Sequence, residues 1–200
     1  MGLPKATLPF GPELMLQRVV RLLSGVVSPV VVVAAPDQAL PPLGDEVLLA
    51  RDQREGRGPL EGLLAGLTAI APHAQAAYAT SCDVPLLVPA FVREMIRRLA
   101  QGGPVVPTGQ EPLIDANSLP APQQERNNVG RNDIAVPVDG QFHHPLAAVY
   151  RTSVARFIAE LLAADRLRPL FLFERAAICR VGVDELRAVD PRLDTLKNLN

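Results

Sequence analysis

Apolar runs and helical patterns alternate along the first half of the chain. Residues 30–35 form a β-branched run that ends at a proline, which is typical of a strand buried on both faces. Shorter apolar runs predict two more strands, over residues 47–50 and 75–82. Recurrent apolar positions at helical spacing predict helices over residues 13–24, 59–71 and 89–100. This alternation favours βαβ units and a largely parallel sheet.

The second half of the chain is less regular. Residues 108–132 are rich in Gly, Pro, Gln and Asn, which predicts a long surface insertion. A strand over 134–138 precedes Asp139-Gly140, a hairpin turn signal, and residues 142–150 are expected to return as the next strand. The chain is then predicted to form helices over 153–164 and 168–176 and a last strand over 177–183.

Composition narrows the class of protein without identifying its chemistry. Two hundred residues suit one domain with a substantial core. Twenty basic and twenty-one acidic residues leave no net field that would favour nucleic acid or a membrane surface. Two cysteines are too few for a disulfide framework, and neither a secretory signal nor a membrane-spanning run is evident, so we expect a cytoplasmic protein.

Asp83 is the most informative candidate for chemistry. It lies in Cys82-Asp83-Val84-Pro85, directly after the apolar run that ends at residue 82. Ligands of open α/β sheets bind at the carboxyl ends of strands, and a carboxylate there is well placed to hold a divalent metal against phosphate oxygens. The alternative is that Asp83 caps the following helix or fixes a turn.

Lys5 and Asp52 are the two other candidates. Lys5 follows a glycine in Met1-Gly2-Leu3-Pro4-Lys5, and a mobile ammonium group near a glycine suits a phosphate ligand. Asp52 follows the predicted strand at 47–50 and precedes Gly58-Pro59, which opens a helix whose N-terminus suits an anionic or polar ligand. The alternatives are a solvated lysine and an ordinary turn into a helix.

These three residues become more informative together. Each lies in a loop after or beside a predicted strand, and a parallel sheet would bring such loops to one edge. One lysine, one carboxylate that holds a metal and one further acid are what phosphoryl or nucleotidyl transfer requires, because that chemistry depends on charge neutralisation and alignment.

Five motifs, in order along the chain, resemble the molybdenum cofactor guanylyltransferases, the family of molybdopterin-guanine dinucleotide biosynthesis protein A. They are Met1-Gly2 with Lys5 and Leu8-Pro9-Phe10-Gly11, Gly58-Pro59-Leu60 with Gly62, Cys82-Asp83-Val84-Pro85, His144-Pro145-Leu146 with Tyr150, and Asn198-Leu199-Asn200. The resemblance implies an α/β fold, namely a Rossmann-like nucleotidyltransferase with a three-layer sandwich and a mostly parallel central sheet. It also implies transfer of GMP from GTP to molybdopterin, with release of pyrophosphate and with Mg²⁺ as the cofactor.

The resemblance also implies roles for particular residues. Lys5 matches the lysine that contacts the nucleotide phosphates, Asp83 matches the catalytic aspartate that holds the metal, and Asp52 matches an acidic residue of the GTP site. Asn198 and Asn200 match the asparagines of the pterin side. Arg168 is a candidate for a phosphate of the pterin, although a solvated helix end is the alternative.

The sequence differs from the family pattern in ways that leave alternatives open. The family has a strand and a Leu-Ala-Gly-Gly loop ahead of Met1-Gly2, so we expect a single domain over 1–200 that lacks this strand and loop, with an unpaired edge beside a central strand. Ala34 aligns with a base-contacting asparagine of some relatives, which leaves cytidylyl transfer open. A non-catalytic protein that binds the pterin or a partner, such as a molybdoenzyme or its chaperone, is a further alternative.

Overall fold

The computed structural model describes residues 5–54, 56–101 and 131–199. Its strands are β1 (Pro9–Phe10), β2 (Glu13–Leu14), β3 (Val30–Ala34), β4 (Val47–Arg51), β5 (Ala76–Thr80), β6 (Ile134–Asp139), β7 (Phe142–His143), β8 (Ala147–Arg151) and β9 (Ile178–Gly182). Its α-helices are α1 (Met15–Ser24), α2 (Pro59–Ile70), α3 (Pro89–Gln101), α4 (Ala155–Ala163), α5 (Pro169–Phe173) and α6 (Val183–Leu186). Within these ranges, no helix combines the length and the apolar character that crossing a membrane requires.

Periodicity located the main elements correctly, with one strand as the exception. The predicted strands and helices of the first half agree with β3, β4, β5 and α1–α3 to within a few residues. The prediction of one continuous strand over 142–150 is wrong, because the chain leaves the ladder between β7 and β8. Pro145 has no N–H to donate there, and its carbonyl instead accepts a hydrogen bond from the Tyr150 hydroxyl at 2.8 Å.

The sheets are mixed, which corrects the expectation of a mostly parallel central sheet. Strands β3 and β4 pair in parallel, as do β6 and β9. The larger sheet has the order β5-β8-β6-β7, and the pairs β5–β8, β6–β8 and β6–β7 are all antiparallel. The Asp139-Gly140 turn explains part of this difference, because a tight hairpin returns the chain antiparallel to β6, whereas a parallel neighbour needs a long crossover.

Helices cover both faces of the larger sheet, so the three-layer arrangement is observed. On one face, Ile134 and Val136 of β6 pack into a cluster with α2, α4 and α5. On the other face, Ala135 of β6 and Val149 of β8 pack with α3 and α6. Alternate residues of one strand therefore enter different cores, as the pleat of a strand requires.

A cavity of about 1200 Å³ separates β3 from β5. Residues 28–35 line one side of it and residues 76–82 line the other. Among the described strands, β3 pairs with β4 and β5 pairs with β8, so each has an edge without a ladder partner where it faces the cavity. Residues of α2 close one face of the gap, and residues of α1 and α3 close the other. Within the described ranges, two strand edges without a ladder partner therefore face each other across the cavity.

Most of the predicted insertion at 108–132 lies outside the described residues. Its last residue, Asn132, is fully buried, so the prediction of a surface position is wrong there. The Asn132 carbonyl accepts a hydrogen bond from Arg151 Nε at 2.7 Å, directly before β6 begins. Asn132 is thus part of the approach to a central strand, where main-chain polar groups must find partners.

Candidate active site

An ion pair joins Lys5 to Asp83 just beyond the carboxyl end of β5. Lys5 Nζ donates to Asp83 Oδ2 at 2.8 Å, and the Ser81 hydroxyl donates to Asp83 Oδ1. The Asp83 side chain is 10% exposed, whereas the Lys5 side chain is 46% exposed. One fixed, shielded carboxylate thus faces a lysine that reaches it from solvent.

The surroundings of Asp83 keep its carboxyl group ionised. Burial by itself would raise the pKa of this carboxyl, but the Lys5 ammonium and the Ser81 hydroxyl outweigh burial and lower the pKa below its usual value. The site therefore presents a formal negative charge at neutral pH, which is the form that binds a cation.

Asp52 lies on the wall of the cavity between β3 and β5. Its position after β4 is fixed by the hydrogen bond from its main-chain N–H to the Ala34 carbonyl at 3.0 Å. Its Oδ1 atom would lie 3.5 Å from a Cβ on Gly62, which is ordinary van der Waals contact, so the Asp52 side chain lies against α2. The same cavity is lined by Ala6, Ser81 and Cys82, the neighbours of Lys5 and Asp83.

The Asp52 carboxyl group lacks a hydrogen-bond partner for one of its oxygens among the described residues. Its Oδ1 atom is shut off from solvent and has no hydrogen-bond partner among the described residues. Burial and, to a smaller extent, the charge of Glu61 raise the pKa of this carboxyl. An unpaired buried oxygen is costly, so Asp52 Oδ1 is a polar atom of the cavity wall whose hydrogen-bonding capacity is unmet by the described residues.

The turn into α2 lies beside a second basic segment. Gly58 has φ +74°, a conformation that L side chains rarely adopt, and the Leu167 carbonyl lies 3.8 Å from where its Cβ would be. Arg57 forms an ion pair with Asp165 at 3.4 Å and donates to the Leu162 carbonyl. This places Arg168, which directly precedes α5, on the α2 side of the molecule.

The C-terminal segment lies on the Asp83 side instead. The main-chain N–H of Leu199 donates to the Asp83 carbonyl at 2.9 Å, so its exposed neighbour Asn198 lies close to Asp83. No hydrogen bond or ion pair within the described part of the chain joins Arg168 to Asn198. Asn200, the second predicted asparagine, lies outside the described residues.

Sequence reasoning missed the residues that support Asp83. Ser81 had a local signal, because serine hydroxyls commonly bond to main-chain groups nearby in sequence, as Ser81 Oγ does in accepting from the Asp83 N–H at 3.4 Å. Thr195 had none: its Oγ1 accepts a hydrogen bond from the Val88 N–H at 3.0 Å, across 107 residues of sequence. Asp190, whose Oδ2 accepts a hydrogen bond from the Thr195 N–H at 2.9 Å, is also far from Asp83 in sequence and was also missed.

The donor set around Asp83 fits a divalent cation that arrives with a nucleotide. No cluster of three or more His, Cys, Asp or Glu side chains able to hold a metal occurs among the described residues. Magnesium is commonly held by one or two carboxylates together with substrate phosphates rather than by an all-protein cage. A single ionised aspartate beside a lysine is consistent with that mode of binding.

The sequence itself decides the family. Residues 1–178 match the family model described as the MobA-like NTP transferase domain. The chain belongs to the MobA-like NTP transferase family. It is therefore a nucleotidyltransferase, and NTP transferases generally work with a divalent metal ion.

Relatives of this MobA-like protein carry a more specific name. A probable molybdenum cofactor guanylyltransferase of Mycobacterium tuberculosis is 30% identical over 190 residues, which are 94% of this chain and 79% of the relative. Its counterpart in Mycobacterium avium is 32% identical over 167 residues, or 82% of this chain and 68% of the relative.

A solved structure supports the fold of this MobA-like domain. Molybdopterin-guanine dinucleotide biosynthesis protein A from Archaeoglobus fulgidus aligns with a TM-score of 0.71 and 17% identity, covering 100% of this chain and 85% of the other. A sequence identity of 17% supports a shared fold and nothing about function. The expectation of a nucleotidyltransferase fold is thereby confirmed, with the strand directions corrected as described above.

Proposed function

We propose that this protein transfers GMP from GTP to molybdopterin and releases pyrophosphate. The observation that carries the proposal is the ionised Asp83 paired with Lys5 directly beside the cavity that Asp52 lines, with Asp52 Oδ1 lacking a hydrogen-bond partner among the described residues. The guanylyltransferase name of relatives that align over most of the chain supports the choice of substrates.

The reaction is a displacement at the α-phosphorus of GTP. A phosphate oxygen of molybdopterin forms a bond to that phosphorus, and the bond to the oxygen that bridges the α- and β-phosphates breaks as pyrophosphate leaves. Asp83 holds the cation, for which we propose Mg²⁺, and a bound cation there supplies neutralisation of phosphate charge. The catalytic role of the protein is to align and neutralise the reacting phosphates.

Lys5 is proposed to contact the nucleotide phosphates. Its side chain is 46% exposed while it bonds to Asp83, so the ammonium group can turn towards an incoming anion without leaving a protein core. The positive charge then remains beside Asp83, within reach of the phosphates that the cation holds.

Asp52 is proposed to bind the nucleoside part of GTP. Asp52 lines the cavity with residues from the start of α2, and its Oδ1 atom has no partner among the described residues, so a hydroxyl or amino group of the nucleotide would satisfy it. Because burial raises the pKa of this carboxyl, a bound donor would also relieve part of the cost of its charge.

The pterin side is proposed to include Asn198, Asn200 and Arg168. The bond between Leu199 and the Asp83 carbonyl supports Asn198, because it keeps that asparagine next to the carboxylate at which the phosphates would bind. The Leu167 carbonyl lies beside Gly58, a residue of the cavity wall, and this supports a contact from the adjacent Arg168.

The remaining parts of the proposal concern location and partners. Neither Cys82 nor Cys179 forms a disulfide within the described part of the chain, which supports a reducing compartment such as the cytoplasm. A product that is a finished cofactor implies hand-over to a molybdoenzyme or its chaperone, which we propose as the protein partner.

Cytidylyl transfer to the same pterin is the alternative that one observation favours. Ala34, at the carboxyl end of β3, is 4% exposed and offers no side-chain hydrogen bond with which to select guanine. Parallel assays with GTP and CTP, each with molybdopterin and Mg²⁺, distinguish the two by which nucleotide releases pyrophosphate. Release from neither nucleotide, with retained binding of molybdopterin, would favour the non-catalytic alternative and overturn the proposal.

A further inference from the structure

The loop that carries Asp83 is clamped at both of its ends by one distant segment. At its end, the Val88 N–H donates to Thr195 Oγ1 at 3.0 Å, just before α3 begins. At its start, the Asp83 carbonyl accepts from the Leu199 N–H at 2.9 Å. Residues 195–199 therefore span the loop, and Asn198 belongs to that span.

Asp190 shapes this segment before it reaches the loop. It is 1% exposed, and its two carboxylate oxygens accept from the main-chain N–H groups of Asp194 at 3.0 Å and of Thr195 at 2.9 Å. Its own carbonyl accepts from the Leu193 N–H at 2.9 Å, and Leu193 has φ +50°. A buried carboxyl group with two main-chain donors thus holds a turn that includes a leucine in the left-handed conformation.

Packing contributes little to the outer part of the segment. Thr195 is 1% exposed, whereas Lys197, Asn198 and Leu199 are exposed. The position of Asn198 therefore depends on a few directional hydrogen bonds rather than on an apolar core. Hydrogen bonds of this kind fix distances closely, and their loss is felt as misplacement of the groups that they hold.

We propose that Asp190 and Thr195 are positioning residues that set the distance between Asp83 and Asn198. The identification of these two groups as the nucleotide side and the pterin side rests on the proposed function. The hydrogen bonds that clamp the Asp83 loop are independent of that proposed function. Neither residue touches a substrate: Asp190 orders the turn that presents Thr195, and Thr195 fixes the end of the Asp83 loop.

The test replaces Thr195 by Val, which keeps the β-branched shape and removes the acceptor for the Val88 N–H. Thr195→Ser restores the hydroxyl and serves as the rescue variant. Thr152→Val is the matched control, because the Thr152 hydroxyl also bonds to a main-chain group, the Gln75 carbonyl, but at the amino end of β5. Amide hydrogen exchange at Leu199 reports on the clamp without requiring any catalytic activity.

We expect Thr195→Val to increase the exchange rate of the Leu199 amide and to raise the KM for molybdopterin about tenfold, the equivalent of one lost buried hydrogen bond. Thr195→Ser should return both quantities to within about threefold of the wild type, allowing for the missing methyl group. Thr152→Val should change neither the exchange rate nor the KM, even if it lowers the melting temperature as much as Thr195→Val does.

The outcomes separate the two proposals. Unchanged exchange at Leu199 in Thr195→Val would overturn the clamp, as would failure of Thr195→Ser to restore it. Faster exchange in Thr195→Val, with no GMP transfer by any variant or by the wild type, would sustain the clamp and overturn the proposed function. If Thr195→Val does not fold, Asp190→Asn is read in the same way, since it keeps the volume of the side chain but removes one of its two acceptors.

Discussion

Replacing Asp83 by Asn tests the centre of the proposed site while leaving its shape intact. The substitution removes the negative charge that pairs with Lys5 at 2.8 Å and keeps a group that can still meet the Ser81 hydroxyl. A hydrogen bond to a charged group contributes about 1.5–3 kcal/mol, whereas a pair exposed to solvent contributes less than about 1 kcal/mol. Because Lys5 is nearly half exposed, we expect a loss of about 1 kcal/mol in the free energy of unfolding.

That loss is small enough for the variant to remain folded. For a domain of this size it corresponds to a fall of about 2–4 °C in melting temperature. Loss of the carboxylate that holds the cation should cost about 4 kcal/mol of transition-state stabilisation, or about a thousandfold in kcat/KM. Activity and stability are thus expected to separate by a wide margin.

The assay is pyrophosphate release from GTP and molybdopterin with Mg²⁺, run beside thermal unfolding of the same samples. Glu94→Gln is the matched control, because it removes a partly buried carboxylate of α3 that pairs with Arg97 and Arg98 away from the site. That control should lose stability to a similar degree and keep its turnover. Magnesium-dependent turnover by Asp83→Asn within about tenfold of the wild type would refute the assigned role of Asp83.

Three further predictions follow from the described contacts. Asp52→Asn should weaken GTP binding about tenfold, measured by calorimetry. The same substitution should raise the free energy of unfolding near neutral pH, measured in urea, because the raised pKa of Asp52 means that its ionised form opposes folding. The pKa of Glu94 is lowered from 4.5 to about 2, so its contribution to stability is complete above about pH 4.5 and is lost as the pH falls towards 2. The free energies of unfolding of the wild type and of Glu94→Gln should therefore converge as the pH is lowered over that range. Amide exchange should alternate along β3 and β5, with the residues that face the cavity exchanging faster, and uniform protection would contradict the two unpaired edges.

Local patterns were enough to predict the elements but not how they pair. The run at 30–35 and the helical spacing at 13–24 each depend on neighbours in sequence, so β3 and α1 were found. Strand direction depends on which strands meet in space. Alternation of strand and helix favoured parallel pairing, but the chain after β6 returns through a tight turn and builds an antiparallel group.

The residues of the candidate site also fall into those that local motifs predicted and those that depend on the fold. Asp83, Asp52 and Lys5 were identified because each lies beside a strand in a recognisable motif. The structure brings Lys5 against Asp83, and it places Asp52 on the wall of a cavity that their neighbours Ala6, Ser81 and Cys82 also line. Thr195 and Asp190 lie in no such motif. Their importance arises only when a segment from far along the chain crosses the Asp83 loop.

The Asp83 loop is therefore built from three separate parts of the chain. Lys5 reaches its carboxylate from 78 residues away, and Thr195 reaches its far end from 107 residues away. Contacts over such separations form only after the intervening chain has been ordered, because the entropy of closing long loops must be offset by the core. The geometry of the site is thus a property of the folded domain as a whole, which explains why sequence motifs could name the carboxylate and the amine but not the residues that hold them together.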